Sequence, residues 1–130
     1  MTSNVIEILK ARGLIEAVTD QAAVGLVNKP TVVYAGFDPS SSSLQVGTLI
    51  AAFGLAQFQR CGLRALALVG GATGLVGDPA WKSSERPVLS AEQVEQNLAG
   101  IAENLSRVLD FKHPTAPAKI VNNNDWMKKF

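Results

Sequence analysis

The residue types that build disulfides and metal centres are almost missing from this chain. Cys61 is its only cysteine and His113 its only histidine. One thiol cannot close an intramolecular disulfide, and a zinc or iron–sulfur site would lack ligands. A strong excess of one charge is missing too, since 12 Lys and Arg offset 11 Asp and Glu to leave +1. The basic residues are scattered, only Lys128 and Lys129 being adjacent, which argues against a dedicated nucleic-acid surface. Long apolar runs are absent: Leu49 to Ala56 is far too short to cross a bilayer. Met1-Thr2-Ser3-Asn4 leads straight into a short amphipathic pattern, unlike a signal peptide. The serine run at 40–43 is too short to be a low-complexity tract, and no internal repeat is visible. The expectation from these absences is a soluble, cytoplasmic domain with no membrane association.

What is present is a core and a glycine-rich edge. At 130 residues and 47% apolar composition, the chain fits one domain with a substantial interior. Ala65 to Val69 is a continuous apolar run that stops at Gly70-Gly71, and Gly74 and Gly77 follow before Asp78-Pro79. Such a run reads as a buried parallel strand feeding a loop whose backbone approaches a ligand or turns without Cβ hindrance. In open α/β sheets that carboxyl edge is where ligands bind.

The flanking pattern supplies the other elements. Ser3 or Asn4 can cap a helix through Val5, Ile6, Ile8 and Leu9 that Gly13 ends, and Leu14 to Asn28 holds a short second helix. After Pro30, Thr31 to Phe37 is β-branched and aromatic and reads as the first core strand. Asp38-Pro39 and the serines form a loop, a helix follows from about Gly47 to Arg60, and the next strand is Arg64 to Val69. This is a βαβ unit, for which a right-handed crossover is expected. Ser90 and Gln93 form a capping box with Leu89 and Val94 as its staple, opening a helix striped by Val94, Leu98, Ile101, Leu105 and Val108. Pro114 and Pro117 mark a linker, Ala118 to Val121 is a third strand, and Asp125 can cap one more turn before Phe130. A helix only beginning at the end of the chain fits a piece of a longer protein or a shortened one.

Three blocks together resemble bacterial tyrosyl-tRNA synthetases: Tyr34-Ala35-Gly36-Phe37-Asp38-Pro39, then Ser43-Leu44-Gln45-Val46-Gly47-Thr48-Leu49, then the glycine segment through Lys82-Ser83-Ser84-Glu85-Arg86. The first helix and Asn122-Asn123-Asn124-Asp125-Trp126 fit as well. The resemblance covers essentially this whole chain but only about the N-terminal third of such an enzyme. It implies a class I, Rossmann-like α/β catalytic fold, here partial: a short parallel sheet flanked by helices in a three-layer arrangement. Residues 1–29 would be a helical lead-in and 30–130 the Rossmann-like half. The implied activity is ATP-dependent activation of tyrosine to tyrosyl-adenylate with release of pyrophosphate, then transfer to tRNA(Tyr). Mg-ATP enters as a substrate, and no bound metal or organic cofactor is expected. In-line attack of a carboxylate on the α-phosphate relies on positioning and charge stabilisation, so the lack of a Ser-His-Asp set is no objection.

The resemblance also assigns roles. Tyr34 would bond the substrate phenol, where an otherwise unpaired polar group rejects phenylalanine; on position alone it could equally be a core tyrosine whose hydroxyl reaches the backbone. Asp78 would bind the substrate ammonium, although Asp before Pro is also common turn chemistry. The same ambiguity holds for Asp38, whose region would lie against the adenylate phosphate chiefly through backbone N–H groups. Thr73 would line the amino-acid side of the pocket, Gly36 would let substrate and nucleotide approach the strand end, and Pro39 and Ser40 belong to the nucleotide loop. Lys82 and Arg86 would neutralise leaving pyrophosphate, or are two solvated surface cations.

One departure is chemical. The class I signature His-x-Gly-His at the start of a helix, where imidazoles and the helix dipole stabilise phosphate charge, reads Gln45-Val46-Gly47-Thr48 here. Gln45 and Thr48 can donate hydrogen bonds, neither is a cation, and Gly47 keeps the close backbone approach. Removing one preorganised donor of this kind costs ~10²–10³ in rate. By resemblance, the later tyrosine-pocket residues, the segment that forms the family's homodimer and the tRNA-binding regions would lie beyond Phe130. The isolated chain is therefore expected to make little or no adenylate, to charge no tRNA, and to leave a sheet edge and an apolar face uncovered. The competing reading is a degenerate, non-catalytic module that binds tyrosine, a nucleotide or another protein. Another α/β nucleotidyl transferase is a third, disfavoured by Tyr34 together with Asp78.

Overall fold

The computed structural model describes residues 4–76 and 89–127. In chain order the elements are α1 (Val5–Ala11), α2 (Gln21–Leu26), β1 (Val32–Phe37), α3 (Val46–Arg60), β2 (Arg64–Val69), α4 (Gly71–Val76), α5 (Ala91–Ser106), β3 (Lys119–Asn122) and α6 (Asn124–Met127). The strands form one parallel sheet in the order β1-β2-β3. Tyr34 stands opposite Leu66 and Gly36 opposite Leu68, and Leu66 in turn opposite Lys119.

Alternation along the strands decides what is buried. Phe37, Ala65, Ala67, Val69 and Ala118 are buried on one face, with Val33 and Ala35 packed against them. That face meets Ala52, Leu55 and Ala56 of α3 and Ile101 and Leu105 of α5 in a single core. Phe37, 2% exposed, is the largest side chain at its centre, and its burial contributes about 1.5–3 kcal/mol. The residues on the opposite face behave differently. Val32 is 54% exposed and Tyr34 68% exposed. The expected three layers are thus two among the described residues: both long helices share one face, and the other is open. Parallel sheets are normally covered on both sides, so the open face is the conspicuous feature of this fold.

Local caps set the helix starts. Asn4 accepts from the N–H of Ile6 at 2.9 Å, Asp20 from that of Ala22 at 2.8 Å, and Ser90 from that of Gln93 at 3.2 Å. Val5, Ile6 and Leu9 of α1 form a small separate cluster with Val24, Val27 and Phe58, which ties the lead-in helices to the outer side of α3. At the same, C-terminal end of α3, buried Gln59 reaches the segment before β3. Its Nε2 donates to the carbonyls of Asp110 (2.6 Å) and Ala116 (2.9 Å), and its Oε1 accepts from the N–H of Asp110 (3.0 Å). Among the described residues no helix is long and apolar enough to cross a membrane.

The chain end differs from expectation in its cap. Asp125 lies inside the first turn of α6; the turn is closed instead by Asn123, whose carbonyl accepts from Met127 at 3.1 Å, while Asn122 Oδ1 accepts from the N–H of Asn124 at 3.0 Å. The last residue of a strand can start a helix with its own side chain, and the carboxamide of Asn122 does so three residues earlier than Asp125 could.

Candidate active site

The carboxyl ends of the strands are knitted together by backbone and carboxamide groups. The N–H of Gly70 donates to the carbonyl of Phe37 at 3.0 Å, which continues the β1–β2 ladder past its last pair. The glycine segment then does something the sequence pattern did not indicate: Gly71–Val76 is helical, where a loop was expected. Its free N-terminal donors are met from the end of β3 and the residue after it, since Gly71 N–H donates to Asn122 Oδ1 (3.2 Å) and Ala72 N–H to Asn123 Oδ1 (2.8 Å). Thr73 Oγ1 donates to the Gly70 carbonyl at 3.1 Å. The glycines are explained by these contacts. A Cβ on Gly70 would collide with Thr73 Oγ1, and one on Gly71 with the Asn122 carboxamide. Here close approach is to the protein's own side chains, and a ligand is not needed to account for it.

Gly36 and Gly47 are the contrasting case. A Cβ on either would meet nothing within 4 Å, so the backbone at the end of β1 and at the start of α3 faces open space. α3 is a 15-residue helix with Gln45 at its N-cap, no side-chain cap and no acidic residue in its first turn. The first-turn donors and the positive end of the helix dipole are thus left for an anion. Thr48 Oγ1 donates to the Gln45 carbonyl at 2.8 Å, so its one proton is engaged within the helix. Of the two substituted signature residues, Gln45 alone keeps its side-chain donors clear of α3's own backbone.

The structure brings several expected site residues to this edge. Gly36 is the penultimate residue of β1, Asp38, Pro39 and Ser40 follow the strand, and Gln45, Gly47 and Thr48 open α3. Thr73 is exposed on α4, with Asn123 Nδ2 at 3.5 Å from its hydroxyl. Tyr34 lies two residues before Gly36 on the same, open face of β1. At 68% exposure it is not a core tyrosine. Asp78, Lys82 and Arg86 lie outside the described residues.

Sequence comparison decides the family. Residues 26–130 match the tRNA synthetases class I (W and Y). The chain belongs to that family. It is 52% identical over 128 residues to the tyrosine–tRNA ligase of Protochlamydia amoebophila, a match covering 98% of this chain and 30% of that protein. The tyrosine–tRNA ligase of Rhodopirellula baltica is 46% identical over 131 residues, covering 99% and 30%. Among solved structures, a C-terminally truncated mitochondrial tyrosyl-tRNA synthetase from Aspergillus nidulans superposes with a TM-score of 0.81 at 30% identity, over 98% of this chain and 39% of that one. This class I synthetase chain thus spans about 30% of the length of the curated relatives it matches. The parallel sheet and its helices are the Rossmann-like fold expected, and the relatives give no support to a non-catalytic module.

Two site-forming residues escaped the sequence reading. Asn123 was noted only as part of a block, yet it accepts from α4 and is buried. Asn97, 8% exposed, donates through Nδ2 to the Pro39 carbonyl at 2.8 Å. A signal was available for the second: Asn97 lies three residues after Val94 and four before Ile101, a carboxamide on an otherwise apolar face.

Proposed function

We propose that this synthetase chain carries the nucleotide side and part of the tyrosine side of a tyrosine–tRNA ligase site. The reaction is activation of tyrosine by Mg-ATP, taken as a substrate, to tyrosyl-adenylate, followed by transfer to tRNA(Tyr). The observation that carries this reading is the uncapped N-terminus of α3 beside the Asp38–Ser43 loop at the carboxyl end of β1, with Gly36 and Gly47 both open.

The proposed chemistry uses that geometry and, for the residues outside it, the family resemblance. First-turn N–H groups of α3 and the 38–43 backbone receive the α-phosphate, where negative charge grows as the tyrosine carboxylate attacks. Gln45 adds a neutral donor; Thr48 must first release the Gln45 carbonyl to add another. Tyr34 on the open face bonds the substrate phenol, Thr73 and Asp78 serve its ammonium end, and Lys82 and Arg86 neutralise pyrophosphate. Residues 30–130 hold the site and residues 1–29 support α3. A homodimeric, cytoplasmic enzyme is the setting that the family resemblance implies.

The test is an amide NMR spectrum of the labelled chain with and without a non-hydrolysable tyrosyl-adenylate analogue. Shifts clustered at Tyr34, Gly36, Gly47 and Thr73 are expected. A dispersed spectrum that the analogue leaves unchanged would refute the reading for this chain.

A further inference from the structure

The loop between β1 and α3 is held from a distant part of the chain. Pro39 is one of the most deeply buried side chains in the protein, at under 2% exposure. Its carbonyl accepts the 2.8 Å hydrogen bond from Asn97, 58 residues further on. One turn along α5 from Asn97, Gly100 lies directly against Ser42: a Cβ on Gly100 would collide with the Ser42 carbonyl oxygen, a backbone atom that cannot swing aside. From the other side, a Cβ on Gly74 of α4 would stand 2.7 Å from Pro39 Cγ. Two helices therefore fix Pro39 and Ser42, the residues that bracket Ser40 and Ser41.

From this geometry we infer that Asn97 and Gly100 are positioning residues for the nucleotide, setting the 39–43 backbone against the first turn of α3. The inference rests on the nucleotide reading of that loop given above. A purely structural role would be served as well by an apolar residue, because the stripe around Asn97 is Val94, Leu98, Ile101 and Leu105. A buried carboxamide paired to one carbonyl adds little net stability over a well-packed hydrophobe but fixes direction strongly. A glycine at position 100, inside a helix, runs against helix propensity and makes sense as the space that lets Ser42 close on α5.

The test uses the labelled chain and two substitutions that act on the loop from different contacts, Asn97→Leu and Gly100→Ala. Three readouts are taken: amide shifts and heteronuclear NOEs of Ser40–Ser43 without ligand, the ATP dissociation constant, and the tyrosine dissociation constant, both by titration. The expected result is displaced loop shifts, ATP binding weakened about tenfold, and tyrosine binding changed less than about twofold. Equal losses for ATP and tyrosine would reduce both residues to structural ones and overturn the inference, as would unchanged ATP affinity in a folded variant. If Asn97→Leu does not fold, Gly100→Ala decides alone, since it keeps the hydrogen bond and moves only Ser42. If the unsubstituted chain binds no ATP, the nucleotide reading itself fails and takes the positioning role with it. Binding intact in the unsubstituted chain and in both variants overturns the positioning role alone.

Discussion

Replacing Gln59 by leucine removes the junction that ties the end of α3 to the segment entering β3. Leucine fills most of the same volume, so the cavity contribution is small and the cost falls on hydrogen bonds left unmade. Three backbone groups lose Gln59: the N–H and carbonyl of Asp110 and the carbonyl of Ala116. They do not suffer equally. The Asp110 carbonyl keeps a second donor, the N–H of Ala118 at 3.0 Å. The Ala116 carbonyl sits in a buried bond and keeps none among the contacts seen, while the Asp110 N–H is part-buried and within reach of water. One fully orphaned and one partly orphaned group give an expected loss of about 2–4 kcal/mol. Against a typical domain stability of ~5–15 kcal/mol, that is a large fraction. Urea unfolding of the chain and of Gln59→Leu measures it directly, with the slope expected to be unchanged. A loss under about 1 kcal/mol would refute the accounting, because it would mean that the 110–116 segment finds other partners at little cost.

Three further outcomes follow from the same contacts. Asn123→Ala removes the acceptor for the Ala72 N–H; a stability loss of about 1 kcal/mol is expected, with faster amide exchange at Ala72, and unaltered exchange there would exclude Asn123 as a cap of α4. Joint substitution of Gln45→His and Thr48→His is expected to tighten ATP binding, and to do so more below about pH 6.5, where imidazoles carry charge next to the phosphates; an affinity equal to that of the unsubstituted chain at every pH would remove these positions from the phosphate site. Exposed Val32, Tyr34, Ile50 and Phe53 form apolar surface, so sedimentation velocity should show concentration-dependent self-association that Val32→Lys with Ile50→Lys suppresses. A monomer across the whole concentration range would contradict that expectation.

How far the sequence was legible depended on how local the physics was. β1, α3 and β2 were readable because alternation and helical spacing are set by neighbours in the chain, and the starts of α1 and α5 because Asn4 and Ser90 cap within three residues. Asp125 was misjudged for the same kind of reason: three consecutive asparagines precede it, and the first two already do the capping. α4 was unreadable on those terms. Its sequence, Gly71-Ala72-Thr73-Gly74-Leu75-Val76, has poor intrinsic helix propensity and no capping side chain before it. Its cap comes from β3, 51 residues later, and only a sheet that places β3 beside β2 can deliver it.

The same distinction separates the two kinds of glycine at the site. In sequence, Gly36, Gly47, Gly70 and Gly71 all looked like places where a ligand comes close. In the fold, Gly70 and Gly71 are filled by Thr73 and Asn122, while Gly36 and Gly47 stay open. A glycine that a protein group already occupies is accounted for by packing. One with empty space above it, at a strand end or an uncapped helix start, has no such packing account and leaves room for a ligand. On the reading proposed above, the gap between the end of β1 and the first turn of α3 is where this chain would offer backbone donors to a ligand. The distant carboxamide of Asn97 then becomes significant, because the donors of a loop are only as well placed as whatever holds the loop.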